Sequence, residues 1–581
     1  MPANTLRGLA AAPGIAIGPA LVFAPAEATA ATAADPAAEQ ARLAAGVARA
    51  DAALAAHEAT LRASGKDEEA EIFAAHRLIL ADPSLSEQAQ SQIAAERLSA
   101  EAAVEAAAEA QALELESLGD EYLSARAADL RDVAAQVRRA LTGERSLGER
   151  LAAPAVVVAR DLGPSDLMSV PRERLLGFAL AAGGLTAHSS ILARGLGIPA
   201  VVGLGEGLLA AAADGATLAL DGAAGSLAID PPADELARLR EAARGQAERE
   251  AALRADAALP AVTRDGRPIA LVANASTAEE ARAARGWGAA GVGLLRTELL
   301  FLERPTLPDE EEQLALYRAV AAELPDAPIT VRTLDVGGDK HLPAFPLPRE
   351  ENPFLGWRGI RIGLSEPERI LLPQLRALLR AGAEAPIRIM LPMVSTPAEL
   401  AQARALLARA AGELAAAGTP HAAHVELGVM IEVPAAALSA HALAREADFF
   451  SIGTNDLTQY TMACDRGNSR VAALYQPLDP AVLRLIRMAC EAAHAHGRHA
   501  AVCGELGGDP RATALLIGLG VDELSCAPAA LPHVRAAIRA TDGAAARALA
   551  EAALAAAGPD EVQKLLAQVH AGERAQREDA G

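Results

Sequence analysis

The rhythm of apolar and polar positions changes three times along the chain. Residues 6–23 alternate glycine, proline and aliphatic side chains, which predicts an opening strand and turn. From about 35 to 142 Gly and Pro nearly vanish, and Ala, Glu, Arg and Leu recur at helical spacing. That stretch predicts a bundle of three or four helices, punctuated at Asp82-Pro83-Ser84 and at Ser117-Leu118-Gly119-Asp120. Near 144 short apolar runs take over, each bounded by Gly, Asp or Pro: Pro154–Ala159, Ala200–Gly203, Thr217–Leu220 and Ser226–Ile229. They predict a compact α/β unit that the first twenty or so residues join, so that the bundle is an insertion. Residues 233–256 are dominated by charge and read as one linker helix.

Beyond the linker, eight strand-like runs alternate with helical stretches. They are Ile269–Asn274, Gly291–Leu295, Ile329–Leu334, Ile387–Pro392, Gly428–Val433, Phe449–Gly453, His499–Cys503 and Val521–Ser525. Eight alternations predict a closed (β/α)8 barrel. The expected architecture is multidomain α/β. Residues 1–22 and 144–232 form an α/β domain, and 23–143 form the inserted helical bundle. Residues 233–260 form the linker helix, 261–550 a TIM-like barrel and 551–581 a helical tail.

The formal net charge of −22 disfavours nucleic acid and anionic membranes as partners and favours a basic protein partner. The four cysteines, Cys464, Cys490, Cys503 and Cys526, form no C-x-x-C pair and no disulfide framework. The N-terminus makes a poor signal peptide, and no long apolar run suggests a membrane span. A reduced, cytoplasmic enzyme is expected.

In a parallel barrel the chemistry sits where the strands end. Arg296-Thr297-Glu298, Arg332, Asp335, Gly337-Gly338-Asp339-Lys340, Glu432, Asn455-Asp456, Arg466 and Cys503-Gly504-Glu505 fall at or after those ends. Arginines converging on one mouth suit a ligand with carboxylate and phosphate groups. Glu432 and Asp456 suit Mg²⁺, which takes few protein ligands. Singly, each residue has an ordinary structural explanation, and for Asp335 that explanation stays live. The set does not. In the α/β unit, residues 183–200 read GGLTAHSSILARGLGIPA. Ser189 or Ser190 is placed to cap a helix starting near Ile191, with His188 just ahead of it and Thr186 able to hold its ring. A helix N-terminus favours an anion, and a neutral imidazole is a competent nucleophile. In the bundle, Asp67, Glu68, Glu69 and Glu71, beside Phe73 and His76, make an acidic run suited to docking a basic partner.

The segment at 183–203 resembles the phosphohistidine signature of enzymes that use phosphoenolpyruvate, and DFFSIGTNDLTQYTMACDRGN at 448–468 resembles their second signature. With GVGLLRTELLF, VRTLDVGGDK, ENPFLGWRGIR, GVMIEVPAAA and CGELGGDPRA, nearly the whole chain is similar to the Enzyme I family of the bacterial sugar phosphotransferase system. DEYLSARAADLRDV at 120–133 resembles the part that binds the phosphocarrier HPr. The resemblance implies phosphoryl transfer from phosphoenolpyruvate to His188 and then to HPr, yielding pyruvate. It implies Cys503 as proton donor, and Arg296, Arg332, Asn455, Asp456 and Arg466 as substrate ligands, with Arg358 and Lys340 nearby. It implies Glu432 and Asp456 as Mg²⁺ ligands and a homodimer formed through the barrel. Ala187 departs from the serine or cysteine that many relatives carry, and the alanine-rich bundle leaves the carrier contacts less defined.

Overall fold

A computed structural model describes residues 5–24, 35–63, 67–117, 121–184, 188–302, 304–338, 342–348, 350–466, 468 and 470–578. The chain divides into two compact units, Met1–Arg249 and Glu250–Gly581. No helix among the described residues is long and apolar enough to cross a membrane.

The first unit holds an eight-stranded sheet. Its strands are β1 (Thr5–Arg7), β2 (Leu9–Ala12), β3 (Ile15–Phe23), β4 (Ala155–Ala159), β5 (Leu175–Leu180), β6 (Ala200–Val202), β7 (Thr217–Asp221) and β8 (Ser226–Ile229). The order is β1-β8-β7-β3-β4-β5-β6-β2. Only Gly8 separates β1 from β2, yet they lie at opposite ends of that order, so the sheet curls back on itself. The opening segment thus supplies three strands rather than one. β5, LLGFAL, was not among the expected runs. It has no β-branched residue and contains a glycine, so Phe178 alone favours a strand and the propensity signal is weak. Tertiary context decides it, pairing the segment in parallel with β4 and β6.

Between β3 and β4, which pair in parallel, the bundle is inserted. It has five helices among the described residues, not three or four: α1 (Pro36–Ala63), α2 (Asp67–Ala81), α3 (Pro83–Glu96), α4 (Ala100–Ser117) and α5 (Glu121–Thr142). The expected break at Asp82 is made by its side chain, which accepts from Ser84 N at 2.8 Å with Pro83 opening α3. The break between α3 and α4 was not expected and has no Gly or Pro. Arg97 adopts φ +56° to end α3, and Ser99 Oγ accepts from Ala102 N at 3.3 Å to start α4. Leu43, Leu54, Phe73, Ile93 and Val104 pack with many alanines in its core, so the helices can approach closely. Asp132 on α5 accepts from Ser165 Oγ at 2.6 Å, and Arg139 pairs with Asp166 at 2.5 Å, tying the bundle to the α/β part. The segment Ala233–Ala255 is one helix with no buried residue, as its charge predicts.

The second unit is a closed parallel barrel of β9 (Ala270–Ala275), β10 (Val292–Leu295), β11 (Ile329–Arg332), β12 (Ile387–Leu391), β13 (Glu426–Ile431), β14 (Phe450–Ile452), β15 (Ala500–Val502) and β16 (Glu523–Cys526). All eight expected runs are strands, within two residues at their starts. Alternation sorts their side chains. In β13, Leu427, Val429 and Ile431 join the outer core, while Met430 joins Leu294, Met390, Phe449 and Cys503 in a separate inner cluster. The last helices, Gly543–Ala555 and Pro559–Glu578, contribute Ala553, Val562 and Leu566 to the outer core.

Candidate active site at the barrel mouth

β11 ends on Arg332, a buried guanidinium. It is ion-paired to Glu298, and its Nη1 lies 3.4 Å from Asp335 Oδ2 and 3.8 Å from Met430 Sδ. Its Nε has no partner among the described residues. Burial opposes its charge, but Glu298, Asp335 and Glu432 outweigh that and hold it firmly protonated. Arg358 is clamped between two carboxylates. Nε and Nη2 donate to Asp335 at 3.1 and 3.0 Å, and Nη1 and Nη2 donate to Asp456 at 3.2 and 3.1 Å. Nη1 also donates to Tyr460 Oη at 3.1 Å. Asp335 is therefore part of the constellation.

Glu432 follows β13 and is 1 % exposed. One of its oxygens accepts from Met393 N at 2.6 Å. Met393 presents that N–H from φ +58°, a left-handed conformation that costs a non-glycine residue about 1–3 kcal/mol. A Cβ on Gly453 would stand 3.0 Å from the other oxygen, so only glycine leaves the carboxylate room. Burial, with Asp456 and Asp335 beside it, pushes Glu432 up to about 8. Four carboxyl groups, Glu298, Asp335, Glu432 and Asp456, surround two arginines and leave negative charge that a cation would neutralise. No group of three His, Cys, Asp or Glu side chains arranged to hold a metal occurs among the described residues. An ion here would use Glu432 and share Asp456 with Arg358.

Cys503 follows β15 and its thiol is buried. Burial pushes the thiol up to about 11, against smaller downward pulls from the Ser451 hydroxyl, Arg332 and Arg296. The group is therefore an S–H at neutral pH. Asn455 and Glu505 are interlocked: Glu505 N donates to Asn455 Oδ1 at 2.9 Å, and Asn455 Nδ2 donates to Glu505 Oε1 at 3.1 Å. Arg466 N donates to Gln459 Oε1 at 3.1 Å, and its exposed side chain bonds Tyr475. Arg296 follows β10, exposed, and lines a cleft of about 410 Å³ with Asn274, Gly504, Glu505 and Cys526.

The barrel thus gathers Arg296, Arg332, Glu432, Asn455, Asp456, Arg466 and Cys503 at its mouth. Lys340 and Asp339 lie outside the described residues, as does Thr186 in the other unit. His188 is in the first unit and opens the helix His188–Leu196. That helix starts three residues before the expected position near Ile191, so neither serine is its cap. Ser190 Oγ instead donates back to Gly184 O at 2.8 Å, and the buried Ser189 hydroxyl has no partner among the described residues. Sequence reading missed Asn274, Ser525, Met393 and Tyr460. Lone residues of these types carry no local signal, although Asn274 closes an expected strand.

The PEP-binding domain of PEP-utilising enzymes matches residues 250–543, their N-terminal domain residues 7–126 and their mobile domain residues 151–225. The chain belongs to the phosphoenolpyruvate-utilising enzyme family. A phosphoenolpyruvate-protein phosphotransferase of Geobacillus stearothermophilus is 43% identical over 541 residues, 92% of this chain and 93% of that one. One of Haemophilus influenzae is 40% identical over 502 residues, 86% of this chain and 87% of that one. A solution structure of Enzyme I is 34% identical, covering 42% of this chain and 99% of that one, with a TM-score of 0.35.

Proposed function

We propose that the chain is a phosphoenolpyruvate-protein phosphotransferase that phosphorylates its own His188 and passes the group to the phosphocarrier HPr, the first step of the sugar phosphotransferase system. The observation that carries this reading is the convergence of Arg332, Arg358, Glu432, Asp456 and Cys503 on one barrel mouth in a member of this family. Arg296, Arg332, Asn455 and Arg466 bind the carboxylate and phosphate of phosphoenolpyruvate, and guanidinium groups suit both. His188 attacks phosphorus, and the bond to the enol oxygen breaks. Phosphoryl transfer needs mainly positioning and charge neutralisation, which buried arginines supply. The enolpyruvate left behind gains a proton at its methylene carbon from the Cys503 thiol and becomes pyruvate. A thiol held protonated by burial suits that role. Glu432 and Asp456 would hold Mg²⁺, which supplies further neutralisation of phosphate charge.

The working domains are those read from the sequence: 1–22 with 144–232 for the phosphohistidine, 23–143 for the carrier, 233–260 as linker, 261–550 for phosphoenolpyruvate and 551–581 as tail. The protein acts in the cytoplasm as a homodimer through its barrel. HPr docks near the acidic run that opens α2. Phe73 and His76 are buried in the bundle, so that surface excludes them. Carrier phosphorylation should therefore slow as salt rises, and a salt-insensitive rate would remove the acidic run from the docking face.

The deciding experiment incubates the protein with labelled phosphoenolpyruvate and Mg²⁺. Acid-labile label should appear on the wild type and vanish in His188→Ala. An unlabelled wild type would overturn the activity, and label persisting in the variant would move the phosphorylated residue elsewhere.

A further inference from the structure

The turn that carries Cys503 is held from both sides by side chains. On one side Asn274, in β9, donates from Nδ2 to the carbonyl oxygen of Cys503 at 3.0 Å. Asn274 Oδ1 accepts from Ser525 Oγ, in β16, at 2.6 Å. A carbonyl can only accept, so the amino group of Asn274 must face Cys503 and its oxygen must face the serine hydroxyl. Ser525 is fully buried, and a Cβ on Gly293 in β10 would come within 2.6 Å of its oxygen. β10, which lies on the other side of β9 from β16, thus leaves room for this hydroxyl by having no side chain there. On the other side Asn455 holds Glu505 through its backbone N–H and its carboxylate. Between them Gly504 lies against Thr454, where a Cβ would stand 2.0 Å from the threonine oxygen. The turn therefore cannot carry a side chain toward β14. Asn274 and Arg296 line the same cleft.

We infer that Asn274, oriented by Ser525, is a positioning residue for proton delivery: it fixes where the Cys503 thiol stands and so which face of enolpyruvate receives the proton. This rests on the reading of Cys503 as proton donor. In that step the S–H bond breaks and a C–H bond forms at the methylene carbon. The enolate oxygen becomes the ketone oxygen of pyruvate, and the thiolate left behind takes a proton from water. A donor displaced by about 1 Å loses roughly 100-fold in effectiveness. Enolpyruvate then leaves unprotonated and ketonises in water on either face.

The test uses the full-length enzyme turning over phosphoenolpyruvate that carries deuterium at C3 in one configuration, in tritiated water, with HPr as acceptor. The handedness of the methyl group in the pyruvate is then determined. Wild type should give one configuration, and Cys503→Ala a racemic methyl. Asn274→Ala and Asn274→Asp should also give largely racemic methyl, with kcat down about 10- to 100-fold and KM for phosphoenolpyruvate within about 3-fold. Ser525→Ala should fall between these and wild type. Thermal melts show which variants are folded, and the isosteric Asn274→Asp carries the test if the alanine variant is not. Folded Asn274 variants that keep wild-type handedness while Cys503→Ala loses it would overturn the inference and leave the proton-donor reading intact. Retention of handedness by Cys503→Ala would overturn both.

Discussion

At the end of the barrel where strands begin, Arg388 lies 2.7 Å from Glu426, and Asp522 pairs with Arg267 at 2.8 Å and His494 at 2.7 Å. All of these groups are partly exposed, and their pairs sit at a protein–water boundary. At the end where strands finish, Arg332, Arg358, Asp335, Glu432 and Asp456 are all buried. There the Nε of Arg332 and the hydroxyls of Thr333 and Thr454 lack partners among the described residues, and Met393 holds a left-handed backbone. One barrel therefore carries charge in two ways. Partly exposed pairs contribute little and cost little. A buried, incompletely satisfied cluster costs stability and stays ready for a charged ligand.

The largest effect should come from the mouth. Arg332→Met should lower phosphorylation by phosphoenolpyruvate about 1000-fold, the scale of losing a charge that stabilises phosphoryl transfer. It should also destabilise the barrel, because Glu298 loses its buried partner. Adding Glu298→Gln should recover the thermal midpoint but not the activity. A double variant that regained labelling would erase the contrast between the two ends.

Glu523 is the exception at the base, a buried carboxyl pushed up to about 7 by burial and the nearby Asp522 and Glu426, against Arg388. Its unfolded value is near 4.5, so between these values the folded state binds more protons. Stability should therefore fall as pH rises from about 4.5 to 7 and level off above, a change of at most ~3 kcal/mol. Glu523→Gln should abolish that fall in melts across pH 5–8 and leave kcat within about 2-fold. A pH profile identical to wild type would show that the base holds no buried charge.

The smallest effect belongs to the exposed pairs. Hydrogen bonds from His494, Ala500 N and Arg267 overcome the burial of Asp522 and hold its carboxyl below the usual range. Its contribution is present above about pH 4 and is lost as pH falls. His494→Ala should cost under ~1 kcal/mol by denaturant titration of the barrel. A loss of several kcal/mol would mean that the base is as tightly coupled as the mouth.

The barrel strands were legible because each is a short apolar run with breakers at its ends, and the candidate site residues were picked out because they follow those runs in long, specific motifs. The bundle was less legible. Arg97 ends a helix without glycine or proline, and nothing local marks that break. β5 was missed because its composition is ambiguous, with Phe178 favouring a strand and Gly177 disfavouring one, and its place between two parallel neighbours decides it.

By itself the sequence determined the alternation of elements, the closure into eight strands, and which chemical groups stand at the strand ends. These follow from local periodicity and from motifs of neighbouring residues. Which groups meet was decided only by the tertiary structure. Arg358 and Asp456 are 98 residues apart, and Asn274 and Ser525 are 251 apart. The burial that pushes Glu432 and Cys503 up, and the left-handed turn at Met393, exist only once the barrel has closed. Desolvation and charge pairing depend on distances in space, and closure brings together residues that no local pattern links.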